Sequence, residues 1–284
     1  MSSPVSLDPG EARPPDTGGS KASRRRLPGA RVLSDGAVLY WWREVLYVII
    51  VDIVYETIRN LNEGGTRSAY DNAVRVMDWQ QAAFINHEAA IQQWALQFRP
   101  FIIASNYFYG SAYILVTIFV LVYMYRRFTD AYPLARNALV ATTLLGLVGF
   151  RFFPLMPPRL LDVEGYTTHV YGFVDTLATY PTFWSFNDSA MKAVSNQYAA
   201  MPSLHCAWAL WGMIVLWPHL RSAWSKALAV AYPAVTVTVV VVTANHYFLD
   251  AVGGAIVVGL GYGLARLVTR AGRRLPSANL SASS

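Results

Sequence analysis

The chain has 284 residues, of which 54% are hydrophobic and only 14% charged. That is too little charge to cover a water-soluble surface, so the composition excludes a soluble globular protein and points to bilayer as the solvent. A net charge of +6 would suit a nucleic-acid binder, but the basic residues fall where membrane topology explains them, and no nucleic-acid partner is expected. The single cysteine, Cys206, excludes an internal disulfide and any multi-cysteine metal site.

Residues Met1 to about Asp35 are rich in Pro, Gly, Ser and Arg and cannot bury enough apolar surface to fold. Segment 1–36 is therefore expected to be a disordered cytoplasmic tail. Its Arg24-Arg25-Arg26 run has the look of a twin-arginine signal, but Leu27-Pro28-Gly29-Ala30-Arg31 interrupts the apolar core such a signal needs. The run reads instead as a positive-inside anchor.

Six segments are long and apolar enough to cross about 30 Å of hydrocarbon. They fall near 38–58, 102–125, 137–157, 201–219, 226–243 and 246–268. The expected fold class is all-α, an integral membrane six-helix transmembrane bundle over 37–268, with a basic, Ser-rich cytoplasmic tail at 269–284. With the N-terminus inside, the inner side holds fifteen basic residues. These are Arg13, Lys21, Arg24, Arg25, Arg26, Arg31, Arg126, Arg127, Arg136, Arg221, Lys226, Arg266, Arg270, Arg273 and Arg274. The outer segments hold six: Arg59, Arg67, Arg75, Arg99, Arg159 and Lys192. Both termini are expected in the cytoplasm, on a multi-pass protein of the plasma membrane.

Between the first two spans, apolar residues at 74, 77, 84, 85, 91, 94, 95 and 98 follow a helical period. Segment 71–98 is expected to be an amphipathic interfacial helix on the outer surface. Residues 160–200 read as a polar, aromatic loop. In the first span, Asp52 and Glu56 are costly in lipid and must face protein or water. They either pair with an arginine such as Arg59 or bind a polar headgroup. Gly259 and Gly263 have the spacing that permits close helix packing.

Three motifs fall at the outer face because alternate spans end there. Arg151-Phe152-Phe153-Pro154-Leu155-Met156-Pro157-Pro158-Arg159 closes the third span. Met201-Pro202-Ser203-Leu204-His205 opens the fourth, and Asn245-His246-Tyr247-Phe248-Leu249-Asp250 opens the sixth. The residue types suit phosphoryl transfer. Pro202 fits the first position of a helix, and the free N–H groups there, with the Ser203 hydroxyl, can cradle a phosphate. Arg151 and Arg159 offer forked donors to phosphate oxygens, and Asn245 adds a polar contact. His246 and Asp250, four apart, are expected to share a helix face, so that the carboxylate holds the imidazole in one tautomer and frees its other nitrogen to attack phosphorus. His205, from another helix, can protonate the leaving oxygen. His87, His169 and His219 stand outside these motifs and read as solvated or capped.

These motifs resemble those of the type 2 phosphatidic acid phosphatase superfamily, with its basic first motif, Pro-Ser-x-His second motif and His-x-x-x-Asp third motif. Met-Pro-Ser-Leu-His and Thr-Ala-Asn-His-Tyr-x-x-Asp are most similar to the branch of fungal inositol phosphorylceramide synthase and sphingomyelin synthases. The resemblance covers about residues 38–268 and implies His246 as a nucleophile forming a phosphohistidine. It implies Asp250 as the partner that orients it, His205 as the acid and Ser203 as a phosphate ligand. The sequence departs from the phosphatase branch twice. Val240 stands where that branch has an arginine six residues before the nucleophile, and seven residues rather than six separate the first-motif cations. The missing arginine favours the synthase-like branch.

The expected function is lipid phosphotransfer at the extracytoplasmic leaflet, from a lipid phosphate donor to a lipid or polyol acceptor. Hydrolysis of polyprenyl or diacylglycerol phosphates, with water as acceptor, is the alternative. No cofactor is expected. Two histidines and an aspartate could also form a three-ligand zinc site, but the serine and arginines fit phosphate better. A non-enzymatic lipid transporter would account for the intramembrane charges and would leave the spacing of the histidine motifs accidental.

Overall fold

The computed structural model describes residues 28–61, 65–163, 169–180, 182 and 197–274. The expectations for the tails before residue 28 and after residue 274 lie outside the described residues, as do the side chains of Asp52 and Glu56. The described chain is mostly helical. A long helix α1 (Trp41–Leu61) is followed by the shorter α2 (Thr66–Ala82) and α3 (Glu88–Leu96). Next come α4 (Arg99–Arg127) and α5 (Tyr132–Phe152), then two single turns, α6 (Pro158–Leu161) and α7 (Thr176–Thr179). The chain finishes with α8 (Leu204–Leu216), α9 (Ala223–Val242) and α10 (Phe248–Arg274). A small antiparallel pair, β1 (Arg31–Val32) with β2 (Val38–Leu39), precedes α1.

By length and composition α4, α5, α9 and residues Phe248–Ala271 of α10 could each cross a membrane. Their outward faces carry large exposed apolar side chains, among them Leu115, Phe119, Val148, Val235, Leu260 and Leu267. Helices that satisfy their own backbone and present hydrocarbon outward are what a bilayer requires. The sequence window 38–58 falls on α1, which has 21 residues. The window 201–219 falls on α8, whose 13 residues span about 20 Å at 1.5 Å per residue. A 3-10 turn at Trp217–His219 continues it.

Two apolar clusters organise the bundle. Val120 and Met124 of α4 meet Tyr132, Ala135 and Ala138 of α5, Trp211 and Val215 of α8, and Val258 and Ala265 of α10. The Trp211 indole donates to the Ala135 carbonyl at 2.9 Å, so its polar edge is satisfied although the ring is fully buried. At the other end, Ala69, Ala73 and Val76 of α2 pack on Leu155, Met156, Leu160, Phe173, Ala244 and Tyr247. That second cluster is the floor on which the motif segments sit.

Several local expectations are corrected. The interfacial segment is two helices rather than one, because α2 ends near Phe84, which adopts a left-handed φ of 59° and redirects the chain into α3. The end of the proposed N-terminal tail is structured. Residues 31–39 form the β pair, tied to α4 by Tyr125 donating to the Gly29 and Leu39 carbonyls. The Gly259/Gly263 face has open space around it, and the close approaches occur elsewhere. A Cβ on Gly254 would lie 2.6 Å from the Ser203 carbonyl oxygen, and one on Gly261 would lie 2.7 Å from the Thr142 nitrogen. Among the histidines outside the motifs, His219 stacks on Phe128, with ring centroids 3.9 Å apart.

Candidate active site

The three motif segments meet at one end of the bundle, held by backbone hydrogen bonds between them. Arg159 N donates to the Ala244 carbonyl at 2.8 Å, Ser203 N to the Asp250 carbonyl at 3.0 Å, and Leu155 N to the Tyr198 carbonyl at 2.7 Å. The last of these seats the strand leading into α8 beside the end of the first motif.

His246 precedes α10 rather than lying on it, so the expectation of a shared helix face with Asp250 is corrected. The helix starts at Phe248, which puts Tyr247 at the cap and Asp250 in the first turn. From there Asp250 reaches back: Oδ2 accepts from Tyr247 N at 2.9 Å and lies 3.2 Å from His246 Nδ1. This is the return half of a capping box, with a carboxylate serving the cap N–H. The Ala200 carbonyl lies 2.9 Å from the same Nδ1. Both neighbours of Nδ1 are acceptors, so Nδ1 carries the proton and Nε2 is left with a free lone pair. His246 is 4% exposed, and its Nε2 has no hydrogen-bond partner among the described residues. Such a nitrogen can act as a nucleophile.

His205 sits in the first turn of α8 with its ring centroid 5.7 Å from that of His246. Tyr109 stacks on it at 4.3 Å and 18°, and Tyr113 flanks it at 4.5 Å, both from α4. The Nε2 of His205 also has no partner among the described residues. Two imidazoles, each with an unpartnered nitrogen, are thus held side by side. A shallow, mostly aromatic and apolar cleft between α4 and α9 runs up to His205, lined by Phe108, Tyr109, Tyr113, Tyr232, Thr236, Val239 and Val240.

Arg159 is 9% exposed and fully engaged on one edge. Its Nε donates to Asn245 Oδ1 at 3.1 Å and Nη1 to Asp175 Oδ2 at 2.7 Å. Asn245 in turn donates to Thr243 Oγ1 at 2.8 Å, so both its amide atoms have partners within the protein. Asp175 also caps α7, accepting from Leu177 N and Ala178 N. Ser203 is fully buried and is the N-cap of α8, its hydroxyl accepting from Cys206 N at 3.4 Å. Pro202 therefore precedes the cap and is not the first helical residue, a second correction at this site. Cys206 is free and buried. Arg151, on the last turn of α5, is exposed and makes no hydrogen bond or ion pair among the described residues. The structure brings His205, His246, Asp250, Ser203, Asn245 and Arg159 together, while Arg151 is exposed and engages none of them.

The sequence reading missed Asp175, Tyr109 and Tyr113. Asp175 was visible only as one acid in a polar loop, and the two tyrosines only as residues of an apolar span. Among the described residues, no group of three or more His, Cys, Asp or Glu is arranged to hold a metal ion.

No curated protein and no solved structure matches the chain. A family model described as the PAP2 superfamily matches residues 74–264, more than half of the chain and all three motif segments. The chain belongs to the PAP2 superfamily, and that membership suggests a membrane lipid phosphatase or phosphotransferase.

Proposed function

We propose that this chain is a six-span lipid phosphotransferase that moves a phosphoinositol or related headgroup at the extracytoplasmic leaflet through a phosphohistidine on His246. The observation that carries the reading is the clamp on His246. The Ala200 carbonyl and the Asp250 carboxylate both face Nδ1, which fixes the tautomer with Nε2 free and unpartnered.

In this reaction His246 Nε2 attacks phosphorus and the bond to the leaving alcohol breaks. His205, carrying a proton on Nε2, passes it to the departing oxygen. The acceptor hydroxyl then gives its proton back to His205 as its oxygen attacks the phosphohistidine, releasing His246 in its starting form. Asp250 compensates the positive charge that His246 gains on bonding to phosphorus. The N-terminal end of α8 adds partial positive charge at the phosphate.

Transfer rather than hydrolysis is supported by the local charge. Arg159 is already matched by Asp175 at 2.7 Å, Arg151 stands exposed, and Val240 takes the place where the phosphatase branch has an arginine. A pocket with little unmatched positive charge suits a singly charged phosphodiester better than a doubly charged monoester. A phosphodiester donor is what headgroup transfer uses.

The test is product analysis with purified protein in lipid nanodiscs. One sample receives a phosphoinositol-bearing diester lipid with a hydroxyl lipid acceptor, and a second receives a lipid phosphate monoester. Headgroup transfer in the first, with His246 phosphorylated after an alkaline quench, is the expected result. Release of inorganic phosphate from the monoester, with no turnover of the diester, would assign the phosphatase alternative. Lipid movement unaffected by His246→Ala, with no product in either sample, would assign a transporter.

A further inference from the structure

Helix α10 begins inside the protein, where its first N–H groups cannot reach water and need partners. Tyr247 N donates to Asp250 Oδ2 at 2.9 Å, and Asp250 N to the Tyr247 carbonyl at 3.1 Å. The two between them are served from far away in the sequence. Phe248 N donates to Glu88 Oε1 at 3.0 Å, and Leu249 N to Gln80 Oε1 at 3.1 Å. Glu88 is the first residue of α3 and Gln80 lies in the last turn of α2.

Both side chains are buried at a cost their own helices do not require. Glu88 is 1% exposed and Gln80 is 0% exposed, although α2 and α3 lie at the edge of the protein, with exposed Trp79 and Trp94 on them. A glutamate in the first turn of a helix is ordinarily stabilising while hydrated. Here it has left water and turned inward onto the start of a different helix. Its second oxygen, Oε2, and the Gln80 Nε2 have no partner among the described residues. What the two side chains gain is their grip on Phe248 and Leu249.

We infer that Glu88 and Gln80 are positioning residues for the histidine–aspartate pair, acting through the backbone of Phe248 and Leu249. The inference rests on the proposed role of His246. Asp250 Oδ2 divides itself between Tyr247 N at 2.9 Å and His246 Nδ1 at 3.2 Å, so a small displacement of the first turn of α10 weakens one contact or the other. With Glu88 and Gln80 holding that turn from outside the bundle, the carboxylate stays where it serves both. Displacements on the order of 1 Å cost roughly 100-fold in rate when they disturb the alignment of reacting groups.

Glu88→Leu removes the acceptor at nearly constant volume, while Glu88→Gln keeps an Oε1 acceptor and removes only the charge. In nanodiscs, Glu88→Leu is expected to lower kcat by roughly ten- to a hundredfold with KM within about threefold, and Glu88→Gln to restore kcat to within about threefold of wild type. A second readout needs no substrate. In protein labelled on histidine with nitrogen-15, the His246 Nδ1–H signal moves or broadens in Glu88→Leu and stays in place in Glu88→Gln. If Glu88→Leu fails to fold, Gln80→Met takes its place, with the same loss of kcat and the same movement of the His246 signal expected. Unchanged kcat and an unchanged His246 signal in the folded acceptor-less variant would overturn the positioning role. Equal damage in Glu88→Gln and Glu88→Leu would do so too. Wild-type protein with no His246-dependent turnover would instead count against the proposed function, and the resonance comparison would still decide on positioning.

Discussion

Gly254 separates α10 from α8 at the point where the two helices carry the candidate site. A methyl group there would lie 2.6 Å from the Ser203 carbonyl oxygen and 3.2 Å from Ala207 N. Both are backbone atoms that cannot rotate away. Ordinary contact begins at 3.4 Å, so Gly254→Ala forces the helices apart by about 0.8 Å or distorts the first turn of α8. Overpacking of this kind costs about 1–3 kcal/mol. The same displacement separates His205 on α8 from His246 and Asp250 at the start of α10, for which a loss of roughly ten- to a hundredfold in kcat is expected. The paired control is Gly259→Ala, where nothing lies within 4 Å of the added methyl. Thermal unfolding and turnover of both variants, purified in the same nanodiscs, provide the assay. A Gly254→Ala protein with wild-type turnover and melting temperature, or a Gly259→Ala protein equally impaired, would refute the reasoning.

Other expectations follow from the site and the bundle. His246→Ala and His205→Ala should each lower turnover by at least about a hundredfold without changing the melting temperature by more than a few degrees; near-normal rates in either variant would remove the assigned roles. Arg159→Ala should lower kcat/KM far more than Arg151→Ala, because only Arg159 is held beside Asn245; kinetics of the two variants with one lipid substrate make the comparison. Turnover should persist in EDTA and be inhibited by vanadate, which adopts the five-coordinate geometry of the transferring phosphorus; loss of activity in the chelator, restored by zinc, would instead favour the metal-site alternative. Away from the site, Glu44→Ala strips Arg136 Nη1 of the two carboxylate oxygens it donates to at 2.6 and 2.8 Å and should cost about 1.5–3 kcal/mol of stability with unchanged turnover per folded molecule, measured by thermal unfolding beside the activity assay.

What could be read from the sequence was the part written in local pattern. The long apolar windows marked α4, α5, α9 and α10, and the three motifs, singled out by their residue types, do meet at one end of the bundle. The closeness of His246 and Asp250 followed from their spacing, although the contact forms across a helix start and not along a helix face. The partners of the site were hidden because they are remote in the chain. Glu88 meets Phe248 across 160 positions and Gln80 meets Leu249 across 169, and no periodicity links such pairs. Arg159 and Asp175 are only 16 apart, yet an acid in a polar loop has no signature that marks it as an arginine's partner. The break near Phe84 was also unreadable, since a phenylalanine gives no turn signal; its left-handed backbone lets Phe84 N and Ile85 N close the end of α2 on the Gln81 and Gln80 carbonyls.

The ring of His205 lies flat against Tyr109 and beside Tyr113, which leaves it little freedom to swing outward. In the proposed reaction such an imidazole cannot fetch a replacement proton from bulk solvent by rotating toward it. The incoming acceptor, alcohol or water, removes the difficulty, because it brings the hydrogen that the previous leaving group took away. In that reaction the cycle runs without a relay of water molecules through the low-dielectric interior, and the aromatic walls can stay in place from one turnover to the next.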